Sequence, residues 1–571
     1  MNENFKFDEL EYVRPDGDLL KEKLGELTDR LKNASTYEEA RAIFFEKEKL
    51  AADFSTMTTI ASIRHTVDTR DAFYDGENEY VNELYPTVVP FVLAFSDELY
   101  DGKFRADFER EFGEQLFVSI EIQRKSFTEK NIPLMQREAK LCSEYEKLIA
   151  SAEIPFRGEK LNLYGILKYV EDPDRQTRKE AASAYSGFFS SHEERMEEIW
   201  DELIRLRNEM GRNLGFANFI PLGYLQQGRT DYGAEDVASF REQVREELVP
   251  FCEKLYRAQA ERLGVDQIRF YDEKCVFADG NAVPVGDDDF LIGQAREMYH
   301  DMSAETGEFI DYMLEHRLLD LKNQPGKAST GYMTSLDSYK APFVFSCFNH
   351  TTFDVEVLTH ELGHAFAGYS AMRTQPIAEY YSESTDIAEI HSMSMEQFCY
   401  PYAEKFFGDS ADKFRFSHLQ EALTFVPFGV AVDEYQHLVY ANEDLSPKER
   451  TALWKKLEEK YMPWRDYGDD EFFGRGGWWY HKIHIFLYPF YYINYTLTTM
   501  GAMEFKKKYA EDRQAAWKDY LTLCKVGGSL GYKRTLAAAN LSLPFEKGSV
   551  AKACGYAENI LLGSLDAMRK R

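Results

Sequence analysis

From Thr36 to Thr69 the chain reads TYEEARAIFFEKEKLAADFSTMTTIASIRHTVDT, with neither glycine nor proline. A stretch of this length without a helix breaker reads as one extended helix. Just before it, DGDLLKEKLGELTDRLKN (16–33) places Leu20, Leu24, Leu27 and Leu31 at the i, i+4, i+7 spacing of an amphipathic helix. The same periodicity runs through 77–100, 136–151, 173–213 and 235–263, all of which read as scaffold. The fold class expected is therefore mostly α, with β structure confined to a small element. QIRFYDEKCVFADGNAVPVGDDD (267–289) has β-rich runs on either side of Asp279-Gly280-Asn281, a hairpin-type signal. A second β-like segment, GYMTSLDSYKAPFVFSCF (331–348), follows the loop KNQPGKAST. Its Pro342 favours an edge strand, whose free backbone groups around Ala341–Ser346 could pair with an extended peptide. There is no internal repeat, low-complexity segment or long linker. The organisation expected is one compact unit, with an N-terminal helical half (1–200) and a catalytic helical half (201–571).

The charge balance narrows the partners. With 68 Lys+Arg against 98 Asp+Glu the formal charge is −30, a surface that repels nucleic acid and anionic membranes. The seven cysteines are widely spaced, odd in number and without a CxxC pair, which fits a reducing cytoplasm better than a disulfide framework. The opening MNENFKFDELEYVRPDGD has neither a basic nor an apolar signal region. One stretch, HIFLYPFYYINYTLTTM (484–500), has the length of a membrane span and no charged residue. Its Pro489, Asn494, threonines and tyrosines would carry too many polar groups into hydrocarbon, and belt tyrosines belong at the interfaces. No membrane partner is expected.

The chemistry lies in FDVEVLTHELGHAFAGY. His360-Glu361-Leu362-Gly363-His364 matches H-E-x-x-H, inside an apolar pattern that suits a buried helix. Histidines four residues apart share a helical face and can hold one metal. Glu361, beside them, is placed to take a proton from a water that the metal activates. Histidine and carboxylate ligands with an open position describe a catalytic rather than a structural zinc. A third ligand is expected downstream, where Glu379, Glu383, Glu389, His391 and Glu396 follow. The run from Ser382 to Asp386 and then IAEIHSMSMEQF reads as a second helix with Ser384 near its N-cap. Glu389 lies within that helix and Glu396 two turns later on the same face, while His391 points elsewhere. Spacing alone leaves Glu383 and Glu389 both open. Asp354, Glu383 and Glu396 are candidates for orienting the histidines.

HELGH followed by IAEIHSMSME, with the glutamate 25 residues past the second histidine, resembles the thimet oligopeptidase and oligoendopeptidase F family of zinc metallopeptidases. GYMTSLDSYKAPFVF, FDVEVLTHELGHAF and HIFLYPFYYINY are similar to the bacterial Pz-peptidase-type oligoendopeptidases, and the resemblance runs over nearly the whole chain. It implies Glu389 as third ligand beside His360 and His364, with one zinc ion per chain. It also implies two mostly helical halves around a deep channel that admits short peptides. Pro489 fits the first turn of a helix, from which Tyr488, Tyr492 and Tyr495 fall at i, i+4, i+7 on one face. The resemblance gives His484, Tyr492 and Tyr495, and Tyr488 beside them, the role of contacting substrate and stabilising the transition state; His481 is the spare histidine. The glycine-rich lead-in GRGGWWY (474–480) is expected to let this segment move. The activity implied is zinc-dependent cleavage of internal bonds in short peptides. The alternatives are a helical zinc carboxypeptidase, whose further His-Glu-Ser motif is missing here, and an inactive peptide-binding protein. Oligomeric state is left open by the sequence.

Overall fold

The computed structural model describes residues 5–570 other than Pro325, Ser329 and His350. Two residues of the loop KNQPGKAST, Pro325 and Ser329, thus lie outside the described residues, as do the first four of the N-terminal stretch. The fold is mostly helical, with one two-stranded and one three-stranded sheet among the described residues. No described helix is long and apolar enough to cross a membrane. The chain divides into two units, each built from three segments. Unit 1 holds Met1–Arg124, Val283–Ala411 and Lys508–Leu541; unit 2 holds Lys125–Ala282, Asp412–Lys507 and Ser542–Arg571.

In unit 1 the expected leucine stripe forms the helix Gly17–Asn33, capped by Asp16, whose carboxylate accepts the Asp18 and Leu19 N–H groups. Leu20, Leu24, Leu27 and Leu31 are its buried face. The breaker-free run is the single helix Tyr37–Val67, capped by Thr36. In unit 2 the longest helix is Arg175–Asn213, again capped by an aspartate, Asp174. The pattern at 235–263 holds as helix Ala234–Gln243, a π turn Val244–Leu248 and helix Val249–Leu263.

The β expectations need three corrections. Residues 267–289 form no hairpin; they hold a 3₁₀ turn at Phe270–Asp272 and irregular backbone. Side chains replace the ladder there. Gln259 Nε2 donates to the carbonyls of Asp272, Glu273 and Cys275, and Asn281 bridges the Val276 N–H and the Lys274 carbonyl. With the backbone satisfied this way, no cross-strand partner is required. A hairpin exists instead in unit 2 at β1 (Ile154–Phe156) and β2 (Glu159–Leu161), turned by Arg157 and Gly158, both with positive φ as a type I′ turn demands.

The third correction concerns the strand beside the motif. In unit 1, β3 (Leu319–Asp320), β4 (Tyr332–Leu336) and β5 (Ala341–Phe345) form a sheet of order β3-β5-β4. The segment Ala341–Phe345 is therefore central, and β4 is an edge. Pro342 is tolerated because β3 pairs only with Val344 and Phe345. Along β5 the N–H groups of Val344 and Ser346 reach Leu318 and Asp320. Pro342, two residues earlier on that side, lies before the ladder begins, so its missing N–H leaves no gap. All five β5 residues are buried.

Candidate active site

The motif helix, Thr352–Thr374, packs against β5 and, more extensively, against the helix Thr385–Cys399 that carries Glu389 and Glu396. The spacing of these two helices is set by a glycine. A Cβ on Gly363 would stand 2.7 Å from Ser392 Cα and 3.0 Å from Met395 Cβ, well inside carbon contact distance. Polar pins fix both helices. Tyr299 donates to the Leu358 carbonyl at 3.1 Å and Tyr520 to the His391 carbonyl at 3.0 Å. At the start of the motif helix, buried Asp354 accepts the Asn349 N–H at 2.9 Å, which orders the lead-in.

This close crossing brings the predicted ligands together. Glu389 Oε2 is 3.2 Å from His360 Nε2 and 3.4 Å from His364 Nε2. One ligand atom from each of the three residues falls within 4.8 Å of the others. Four-coordinate zinc with ligands at roughly 2.0–2.2 Å has tetrahedral edges of roughly 3.3–3.6 Å, so the two separations lie close to those of a metal's ligand shell. Glu396 Oε1 lies 2.5 Å from His360 Nδ1. An ionised carboxylate can only accept, so Nδ1 carries the proton and Nε2 turns its lone pair inward. The electrostatics agree. Burial opposes charge on Glu389, yet the neighbouring His360 and His364 imidazoles hold it well below the usual carboxylate range. On His360 burial is likewise outweighed, by Glu389 and Glu396, so its proton affinity is raised. A centre that pulls on a proton this strongly suits a cation.

Glu361 lies one residue along from His360 and is half-buried. Its Oε1 is 3.8 Å from the position a Cβ would take on Gly331, at the start of β4. The sheet edge next to Glu361 is thus β4. Glu383 does not join the three ligand atoms; its Oε1 is 3.3 Å from Nε2 of the fully buried His391. Glu379 is removed from the cluster, on a 3₁₀ turn at Ala378–Tyr380, and is pushed up by burial.

The tyrosine stretch in unit 2 keeps its cluster but not its expected helix. The backbone forms a short helix Ile483–Leu487, breaks over 488–492, and resumes as Ile493–Glu511. Pro489 sits in the break, and Phe490 has φ +62. Long-range tethers hold this shape. Gln436 accepts the Phe490 N–H at 2.9 Å, Arg229 donates to the Phe490 carbonyl at 2.6 Å, and Arg207 to the Phe486 carbonyl at 2.5 Å. The result gathers rings around His484: Tyr492 at 4.8 Å, Tyr491 at 5.8 Å, Tyr488 at 5.9 Å and Tyr495 at 6.1 Å between centroids. Tyr492 is buried and Tyr488 is 51% exposed. Burial, and then the charge of Lys482, depress His484 to about 3, so the imidazole is neutral. Its Nδ1 is buried without a hydrogen-bond partner. His481 is a different residue in kind. Its Nδ1 bonds the Trp478 carbonyl, and its ring packs on Phe428 and Trp478. The glycines before it serve packing, since a Cβ on Gly476 would meet the Thr451 carbonyl at 2.3 Å.

Residues 7–127 match the peptidase M3 N-terminal domain, and residues 293–553 match peptidase family M3. The solved structure of Pz peptidase A with inhibitor 2 is 44% identical, with 98% of this chain and 99% of that chain covered and a TM-score of 0.91. The chain belongs to peptidase family M3. Oligopeptidase PepF of Bacillus subtilis (strain 168) is 22% identical over 92% of this M3 peptidase and 79% of that protein. Oligoendopeptidase-F from Enterococcus faecium, 14% identical with 97% and 98% covered and a TM-score of 0.61, shares the fold.

Two members of the M3 peptidase's clusters escaped sequence reasoning. Tyr491 was out of phase with the assumed helix and joins His484 only because the backbone breaks. Lys482, two positions before His484, belongs to no motif. The available signal was a lone lysine beside a run of uncharged aromatics.

Proposed function

We propose that this M3 peptidase is a zinc-dependent oligoendopeptidase that hydrolyses internal bonds of short peptides. The observation that carries the reading is the convergence of His360, His364 and Glu389 on one centre, with Glu361 adjacent on the motif helix. When bound there, zinc supplies Lewis acidity, lowering the pKa of water toward roughly 7 and polarising a carbonyl. Glu396 fixes the His360 tautomer. Glu361 accepts the proton of the attacking water and returns it to the leaving amine. The free edge offered to an extended peptide is that of β4, which replaces the Ala341–Ser346 edge expected from the sequence. In unit 2 the phenols of Tyr492, Tyr495 and Tyr488 and the neutral His484 are hydrogen-bond donors suited to the substrate and to a developing oxyanion. Burial raises the Tyr492 phenol well above its ordinary value, so it keeps its proton. The unpaired state of all seven cysteines supports a reducing, cytoplasmic setting.

The test uses a quenched, end-blocked peptide, with metal-loaded wild type, with a chelator, and with Glu361→Gln. Internal cleavage lost in both controls is the expected result. Glu361→Gln should lower kcat by a factor on the order of 10²–10⁴, the scale of general-base catalysis, with metal still bound. Full activity in the chelated enzyme removes the metallopeptidase reading. Release of single C-terminal residues alone would indicate the carboxypeptidase.

A further inference from the structure

Among the described residues of unit 2, Lys482 is a cation at the heart of the aromatic cluster with no acidic partner in ion-pair range. It occupies the extended link between the 3₁₀ turn Trp478–His481 and the helix Ile483–Leu487. Its ammonium lies 4.0 Å from the centre of the Tyr492 ring and 5.9 Å from that of Phe428. The neighbouring lysine of this region, Lys274, is ion-paired with Glu421. Lys482 has only ring faces, which attract a cation without neutralising it. Burial, and secondarily the Lys274 charge, lower its pKa to about 7. A half-buried cation without a counter-ion is costly to keep, and the cost is recovered when an anion arrives.

The other polar groups beside Lys482 narrow the anion. Tyr492 stays protonated and can donate its O–H, and neutral His484 can donate one N–H. Those two donors serve the developing oxyanion, which leaves the Lys482 ammonium for a separate acceptor with one negative charge, and the peptide group of that kind is a carboxylate.

We propose that Lys482 binds a carboxylate of the peptide substrate, the free C-terminus or an acidic side chain, and is a specificity-determining residue. This rests on the peptidase reading above. The anchored carboxylate pairs with the ammonium over the Tyr492 ring and positions the peptide from one end.

Three quenched peptides of one sequence separate the sources: a C-terminal acid, the matching amide, and an amide with one glutamine near the C-terminus replaced by glutamate. Wild type, Lys482→Gln and Lys482→Arg are compared by kcat and KM. Cleavage of the plain amide by wild type tests the peptidase reading by itself. For wild type the acid is expected to exceed the amide in kcat/KM by roughly 10- to 100-fold, the scale of one charge-assisted hydrogen bond, carried mainly by KM. In Lys482→Gln the acid-to-amide ratio falls to about 1, while Lys482→Arg retains most of it. An advantage carried by the glutamate peptide alone assigns the anchor to a side-chain carboxylate. A wild-type ratio near 1 for both carboxylate peptides overturns the proposal, as does a ratio that survives in Lys482→Gln.

Discussion

Gly363 is the x before the second histidine of H-E-x-x-H, and its substitution by alanine tests how the cluster of His360, His364 and Glu389 is assembled. Helix propensity favours alanine over glycine by about 1 kcal/mol in a helix interior. Packing predicts the opposite. The new Cβ would stand 2.7 Å from Ser392 Cα, 3.0 Å from Met395 Cβ and 3.1 Å from the His391 carbonyl. Carbon atoms in contact sit roughly 3.5–4.0 Å apart, so the helices must separate by about 1 Å. Those contacts are backbone and Cβ atoms, which cannot swing aside. Overpacking of this kind costs about 1–3 kcal/mol. The larger effect is on the site, because Glu389 and Glu396 move away from His360 and His364 together, and metal sites hold ligand distances to about 0.2 Å. The expected outcome is weaker zinc retention against a chelator and a fall in kcat/KM of about 10²-fold, as for a 1 Å misplacement. Circular dichroism should show retained helix content. Gly187→Ala is the control: it lies in the helix Arg175–Asn213 with nothing within 4 Å of the place its Cβ would take, and should raise stability by about 0.5–1 kcal/mol. Should Gly363→Ala hold zinc as tightly as wild type and keep its kcat/KM, the close crossing is not what assembles the ligands.

Two further outcomes follow. Glu396→Gln keeps the shape but removes the charge 2.5 Å from His360 Nδ1; zinc affinity should fall about 10- to 100-fold, read by chelator competition, with little change in melting temperature. Glu458 is buried, hydrogen-bonded to Tyr467, and desolvation raises it to about 7. Its folded form therefore holds the extra proton between its ordinary pKa and about 7, so its contribution to stability is present at the acid end and is lost as pH rises. The melting-temperature advantage of Glu458→Gln over wild type should grow from pH 5 to pH 8, and a flat difference would refute the assignment.

The helices were legible because their signal is local. The leucine stripe at Leu20–Leu31, the caps at Asp16 and Thr36 and the motif at His360–His364 are all written within a few turns of chain. Where side chains from far away settle the backbone, local reading failed. Gln259 turns residues 267–289 from an expected hairpin into irregular chain. Gln436, Arg229 and Arg207 stop the tyrosine segment from becoming one helix, so Tyr488 and Tyr492 reach His484 from a break and not from an i, i+4 face. Pro342 misled for a related reason. Proline excludes a strand position only where a partner awaits its N–H, and β3 is too short to reach it. The interleaving of the two units was equally invisible, because no composition change marks residues 124, 282, 411, 507 or 541.

The two clusters also differ in the kind of polar group each carries. In unit 1 the polar groups are acceptors and lone pairs: Glu361, Glu389, Glu396 and the inward nitrogen of His360. Such a set is self-repelling without a cation at its centre, and against burial Glu389 and Glu396 raise the proton affinity of His360. In unit 2 the groups are donors: the Tyr492 phenol, neutral His484 and the unpaired ammonium of Lys482. The proposed hydrolysis uses a base to take the proton of water and donors to hold negative charge. A self-repelling acceptor set and an uncompensated cation are each unfavourable in the free protein. On the readings proposed above, a resident metal ion neutralises the first and a substrate carboxylate the second. On the carboxylate proposal, Lys482→Met should raise the melting temperature of the free enzyme while abolishing any advantage of the carboxylate peptides over the plain amide. A Lys482→Met protein no more stable than wild type would mean that the ammonium is already compensated and has no need of substrate.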